Sequence, residues 1–248
     1  MKVLEYINQK LQREKIHMTL IDPADTSPIN AGKVAGIAAR SGTDAIMVGG
    51  STGVNSENTD AIVKEIRLHC RRLPIILFPS SSAVISRYAD AIYFMSLLNS
   101  RNPKHIVREQ ARGAPIVKKM GIEPIPMGYL IVEPGMKVGQ VGEAEVVGRN
   151  NVNEAVGYAL AAQYLGMQIL YLEAGSGAPE PVPAEMITAV KHETSIPLIV
   201  GGGIRTKRNV DYVLEAGADI IVTGTAVEAA DDLNAKLNEI IGAVKNFI

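Results

Sequence analysis

Short β-branched runs, each followed by a Gly- or Ser-rich turn and then a stretch of helical spacing, repeat along the whole chain. The runs begin near Ile16 (IHMTLI), Ala45 (AIMV), Ile75 (IILF), Ala91 (AIYF), Glu123 (EPIPMGYLIV), Gln168 (QILYL), Pro197 (PLIV) and Asp219 (DIIV). They are apolar on both faces, as strands of a parallel sheet covered on both sides must be. Between them Val34, Ile37 and Ala38 share one helical face, as do Ile62, Ile66 and Cys70, and later Ala155, Ala159, Ala162 and Leu165. Ser27-Pro28 has the form of an N-cap followed by proline at the first helical position. Eight strands alternating with helices predict an α/β fold, a (β/α)8 or TIM barrel, with a doubly wound sheet as the alternative.

Two spacings modify that barrel. Only 16 residues separate Ile75 from Ala91, room for a loop or short turn in place of the third helix. Conversely, 45 residues separate Glu123 from Gln168, and the extra stretch EPGMKVGQVGEAEVVGRNN predicts a loop or hairpin over the barrel mouth. An opening helix around Val3, Leu4, Ile7 and Leu11 is placed to plug the bottom.

Length and composition narrow the class without changing the picture. A chain of 248 residues suits one barrel domain spanning 1–248, and 47% hydrophobic with 21% charged residues is an ordinary folded composition. A net charge of −1 argues against nucleic acid as the main partner. The single cysteine, Cys70, excludes an internal disulfide and fits a reducing cytoplasm. No apolar run approaches the ~18 residues of a membrane span, and the opening MKVLEYINQKLQREK is too charged for a signal peptide.

In such barrels chemistry sits where the strands end. The seventh strand leaves as VGGGIR and the eighth as VTGTA. Glycine lets backbone approach a ligand closely and turn N–H groups face a phosphate, so two such turns at these positions predict phosphate binding. The sixth strand leaves as YLEAGSGAPEPVP. Tyr171 and Glu173, two apart, face the same side, and a carboxylate on an apolar strand end is expensive unless used or paired. Gly175, Ser176 and Gly177 then offer donors to a small polar substrate. The first strand leaves with Asp22 before a proline and the second with Ser51. Singly these are a turn and a cap; at adjacent strand ends they also have the donors for a hard cation such as Mg²⁺, and the residues alone leave both readings open. His17, early on its strand, reads as a structural histidine. His69, His105 and His192 have no metal-ligand spacing, Cys70 reads as core, and Lys118 and Lys119 read as a solvated face.

Taken in order, LIDP, VGGS, YLEAGSGAP, VGGGIR and VTGT resemble the geranylgeranylglyceryl phosphate synthase family, most closely its archaeal members, from first strand to eighth. That family is a modified (β/α)8 barrel with the third helix replaced by a loop. The resemblance implies a prenyltransferase of archaeal ether-lipid synthesis. It would join the geranylgeranyl group of geranylgeranyl diphosphate to the 3-hydroxyl of sn-glycerol 1-phosphate. It further implies Mg²⁺ on Asp22 and Ser51. Glycerol 1-phosphate would be held by Tyr171, Leu172, Glu173, Ala174, Gly175, Ser176 and Gly177, then by Gly202, Gly203, Gly224 and Thr225. A symmetric homo-oligomer, dimer or hexamer, is also implied. The sequence departs from the related archaeal pattern at Gln140, where an aromatic is expected, in a segment that bears on subunit contacts or the groove mouth. A leaving diphosphate on a near-neutral protein needs positive charge supplied to it, and Glu173 is placed to take the hydroxyl's proton while Tyr171 orients it. A long apolar tail needs a groove, and the missing third helix leaves room for one beside Phe78, Ala83, Tyr88 and Phe94. Two other classes share the glycine turns: an FMN-dependent oxidoreductase, and a phosphosugar isomerase with a facing acid–base pair.

Overall fold

The computed structural model describes residues 1–50, 56–224 and 232–247. Its eight strands are β1 (Ile16–Ile21), β2 (Ala45–Val48), β3 (Ile75–Leu77), β4 (Ala91–Leu97), β5 (Glu123–Ile131), β6 (Ile169–Glu173), β7 (Leu198–Gly201) and β8 (Ile220–Thr223). They pair in parallel in sequence order and close, β8 against β1, into a barrel. The helices are α1 (Val3–Leu11), α2 (Pro28–Ser41), α3 (Ser56–His69), α4 (Glu109–Met120), α5 (Met136–Val141), α6 (Val152–Tyr164), α7 (Ala184–Glu193), α8 (Lys207–Glu215) and α9 (Leu233–Lys245). No described helix is long and apolar enough to cross a membrane.

Period-two alternation divides the core. Ile16 and Met18 of β1, Met127 and Tyr129 of β5, Ile169 and Tyr171 of β6, and Ile220 and Val222 of β8 fill the barrel interior. Their neighbours turn outward into two shells beneath the helices, one over β1–β4 and one over β5–β8. The α1 plug forms as expected: Val3 and Ile7 are buried in the interior cluster, and the Glu123 carboxylate accepts the Val3 and Leu4 N–H groups that the helix start leaves free. Ser27 caps α2 by accepting from Asn30 N–H, with Pro28 in the first turn. On that helix Ala31, Ala35 and Ala38 lie deepest, and Val34 and Ile37 are half-buried beside them.

Between β3 and β4 the chain makes one 3₁₀ turn, Ser82–Val84, so the wall carries no helix there. Three other expectations are corrected. The insertion after β5 is a short helix over the mouth rather than a loop or hairpin; Val138 packs against the interior cluster, and isolated bridges Val132–Val147 and Ser100–Ala144 tie down its flanks. Leu165 does not join Ala155, Ala159 and Ala162, because α6 ends before it and it turns outward, 76% exposed. Ala83 and Tyr88 are both exposed, Tyr88 stacking under the Lys64 ammonium at 4.2 Å.

The residues read as structural behave so. His17 is fully buried, its Nδ1 3.0 Å from Thr43 Oγ1 and its Nε2 2.9 Å from Thr223 Oγ1. Burial, helped by the Lys245 charge, drops its pKa to about 3, so the ring is neutral. Cys70 is buried in the β1–β4 shell, and burial raises its thiol to about 11, away from reactivity. Lys118 and Lys119 are exposed.

Candidate active site

The strand ends surround one cavity of about 400 Å³ at the mouth. Asp22, Tyr171, Glu173, Ser176, Gly177, Gly202, Gly203 and Gly224 line it, and so do Phe78 and Phe94. Leu172 and Ala174 do not: alternation turns their side chains outward into the β5–β8 shell. Gly175 stands behind the wall, donating its N–H to Glu173 Oε1 at 2.7 Å. Ser51 and Thr225 lie outside the described residues.

Glu173 is the centre of this arrangement. It continues the inward series Ile169, Tyr171, Glu173 along β6 and sits level with Ile131 and Gly201. Only 6% of it is exposed. Tyr129 Oη donates to Oε2 at 3.4 Å, and the Tyr171 hydroxyl also hydrogen-bonds the carboxylate. Burial pushes the Glu173 pKa above the ordinary carboxylate range, and the hydrogen bonds from Tyr171, Gly175 and Tyr129 pull against it. Gly202 is held at φ +80°, where a Cβ would lie 2.5 Å from Glu173 Oε1. Glycine there both permits the turn and makes room for the carboxylate.

Phe78, Tyr93, Tyr129 and Tyr171 form one aromatic wall beneath the cavity. Phe78 meets Tyr129 edge-on at 5.2 Å and stacks on Tyr171 at 5.8 Å. Tyr129 meets Tyr171 at 5.1 Å. From there the cavity runs under the helix-free β3–β4 connection, past Ser82, Ile85, Met95 and Gly113. This is the apolar end.

Asp22 stands at the lip just after β1, half-buried. Its Oδ1 accepts from Ala24 N–H at 2.8 Å, and a Cβ on Gly50 would fall 2.0 Å from it. Burial raises its pKa, the Asp25 carboxylate adds to the rise, and the Ala24 N–H and Lys137 charge oppose it. Among the described residues no three His, Cys, Asp or Glu side chains come together. A carboxylate facing an open cavity with a single hydrogen-bond donor is a fit for a hard cation completed by water and substrate oxygens.

Four site residues escaped the sequence reading: Tyr129, Asp25, Lys137 and Arg205. Tyr129 carries a legible signal, the inward alternation 125, 127, 129 on β5, but its pairing with Tyr171 needs the strand register. Arg205 ties the turn after β7 to the turn after β6, donating to Gly177 O at 2.7 Å.

Fold and cavity define a (β/α)8-barrel protein whose mouth joins glycine turns suited to phosphate with an apolar groove, a carboxylate lying between them. Comparison with known proteins gives the family. The chain belongs to the PcrB family, whose model matches residues 9–244, and groups with the geranylgeranylglyceryl phosphate synthases that its motifs resemble. It is 58% identical to the geranylgeranylglyceryl phosphate synthase of Thermococcus gammatolerans over 98% of each chain. Its fold matches the crystal structure of (S)-3-O-geranylgeranylglyceryl phosphate synthase from Thermoplasma acidophilum in complex with its substrate sn-glycerol-1-phosphate. That match has a TM-score of 0.96 and 44% identity over 100% of both chains. The wild-type enzyme from Thermoplasma volcanium matches at TM-score 0.96 and 48% identity, over 100% of this chain and 99% of that one. The flavin and sugar-isomerase readings of the glycine turns give way to this family.

Proposed function

We propose that this chain transfers the geranylgeranyl group of geranylgeranyl diphosphate to the 3-hydroxyl of sn-glycerol 1-phosphate, in the cytoplasm, as a Mg²⁺-dependent homo-oligomer. The observation that carries the reading is Glu173, buried between two tyrosines where the glycine turns meet the apolar groove. The relative from Thermoplasma acidophilum, with glycerol 1-phosphate as its substrate, supports it.

The phosphate of glycerol 1-phosphate would sit against the N–H groups of the turns at Gly202–Gly203 and Gly224. The glycerol 3-hydroxyl then reaches Glu173. Glu173 accepts the hydroxyl proton as the oxygen bonds to the allylic carbon; the bond from that carbon to diphosphate breaks, and its electron pair leaves with the diphosphate. Tyr171 and Tyr129 hold the carboxylate in place, and the faces of Phe78, Tyr129 and Tyr171 offer their negative quadrupoles to charge developing on the allyl group. Asp22, together with Ser51, would hold Mg²⁺, which when bound supplies the positive charge that the leaving oxygens need. The apolar wall past Ile85 and Met95 excludes water and takes the tail, each CH₂ buried contributing about 0.8 kcal/mol. Assay with labelled sn-glycerol 1-phosphate, Mg²⁺ and prenyl diphosphates of several lengths tests the whole reading; no transfer to the 3-hydroxyl would overturn it.

Two further outcomes follow from the geometry. A side chain at Gly202 would disturb Glu173 as well as the phosphate, so Gly224 is the cleaner probe: a Cβ there meets Leu20 at 3.4 Å, ordinary contact. Gly224→Ala is expected to raise the KM for glycerol 1-phosphate about tenfold, the scale of one hydrogen bond to a charged group, with the KM for the prenyl diphosphate unchanged. Equal effects on both would place the phosphate elsewhere. For the tail, exposed Ala83 is the wrong site to block, and Gly113 on α4 replaces it, since a Cβ there points at Ile85 Cδ1, 3.3 Å away. Gly113→Leu is expected to shorten the longest accepted chain by one isoprene unit, at most about 4 kcal/mol of binding from five carbons. Product analysis with a mixture of chain lengths reads this directly; an unchanged distribution would move the groove.

A further inference from the structure

Lys137 has no assigned role, and its placement is unusual. It lies in the first turn of α5, the short helix over the mouth, and lines the cavity. Asp22 lines the same cavity from the end of β1, and β5, which leads into α5, stands across the barrel from β1. Lys137 and Asp22 do not touch. Among the described residues no hydrogen bond or ion pair engages the Lys137 ammonium. The other cationic side chain with its head at this end of the cavity, Arg205, is committed to Gly177 O. An ammonium and a carboxylate that line one open cavity from opposite strands without meeting leave a space for a species that satisfies both: an anion on the lysine side, with a cation between it and Asp22.

The helix that carries Lys137 is also anchored to the glycerol side of the site. Gly135 N–H donates to Ala174 O at 3.0 Å, and Met136 packs so closely on Gly175 that a Cβ there would lie 2.7 Å from the Met136 side chain. The backbone before Lys137 is therefore fixed by the turn after β6, while its long side chain reaches over the cavity.

We propose that Lys137 is a substrate-binding residue that contacts the diphosphate of the prenyl donor, from the side of the cavity opposite Asp22. The inference rests on the prenyl-transfer reading and adds a residue to it. Lysine suits the task as a point charge with three rotatable donors, able to follow the diphosphate from substrate to leaving group.

The test compares Lys137→Gln, which removes the charge, with Lys137→Arg, which keeps it. The measurements are the KM for each substrate and calorimetric binding of inorganic diphosphate in the presence of Mg²⁺. For Lys137→Gln the expected result is about a tenfold rise both in the KM for the prenyl diphosphate and in the Kd for inorganic diphosphate. The KM for glycerol 1-phosphate should stay within about twofold, and Lys137→Arg should recover most of the loss, as a charge contact requires. An unchanged Kd for diphosphate, or an effect confined to glycerol 1-phosphate, would overturn the proposal. Calorimetry reads diphosphate without turnover, so the two readings fail separately. Wild-type protein that binds diphosphate through Lys137 but transfers no prenyl group would retract the reaction and leave the contact standing. Normal transfer with undiminished diphosphate binding in Lys137→Gln would retract the contact alone.

Discussion

Glu173→Gln is expected to lower kcat by about 10²–10⁴-fold, the range for loss of a general base, with the KM for glycerol 1-phosphate nearly unchanged. Gln is close to Glu in shape and still accepts the hydroxyl's hydrogen bond, so what is removed is the proton acceptor and the negative charge. The argument is one of competing costs. Glu173 is buried, and the substrate phosphate bound at the neighbouring turns would repel it. Three donors, Gly175 N–H and the Tyr129 and Tyr171 hydroxyls, hold it in place. A purely structural carboxylate at this position would be more stable as an amide or an apolar residue. The same burial sets a pH dependence. Because burial raises the Glu173 pKa and only the ionised form accepts a proton, kcat should rise with pH through a value above the ordinary carboxylate range. Tyr129→Phe removes a donor that favours the ionised form, so this acid limb should move to higher pH. Wild-type kcat in Glu173→Gln would show that the carboxylate is structural and that the proton leaves to diphosphate or water.

Asp22→Asn should reduce turnover by at least about 10²-fold, the scale of removing one preorganised electrostatic contact to a developing charge. The two side chains have the same shape, but the amide carries no charge for a divalent cation. Among the described residues the Asp22 side chain hydrogen-bonds only Ala24 N–H and none of the glycine turns, so calorimetric binding of glycerol 1-phosphate should change little. With so few protein donors at this lip, Mg²⁺ alone should bind weakly to wild-type protein and far better when diphosphate is present. Full activity in Asp22→Asn, or tight Mg²⁺ binding without diphosphate, would remove Asp22 from the proposed metal site.

Much of this was legible from the residues in order. Eight doubly apolar runs with helical stretches between them dictate a covered parallel sheet, because each run must bury both faces and each connection must cross back over the sheet; the structure closes that sheet into the expected barrel rather than the doubly wound alternative. The short Ile75–Ala91 spacing leaves no length for a helix, and none forms. Tyr171 and Glu173 share a face because a strand has a period of two, and strand identity was enough to put both at the mouth. The turn after β7 announces itself because Gly202 and Gly203 both take positive φ, a backbone that glycine tolerates best. What the chain order cannot carry is which atoms meet across strands and over the mouth. Register decides that Tyr129 stands beside Tyr171 and donates to Glu173. The same alternation that sends Glu173 inward sends Leu172 and Ala174 outward, so contiguous motif residues divide between the cavity and the helix shell. Gly113 rather than Ala83 borders the groove because a turn's outward direction and a helix's inward face depend on how the pieces pack, which spacing along the chain does not encode. Lys137 carries no signal in the sequence and gains its place at the cavity only when α5 is laid over the barrel and pinned to the β6 turn. Local propensity and pattern determine elements and faces through short-range sterics and burial; the gathering of charged groups from the ends of β1, β5 and β6 around one cavity is a property of closure, and only the closed barrel determines it.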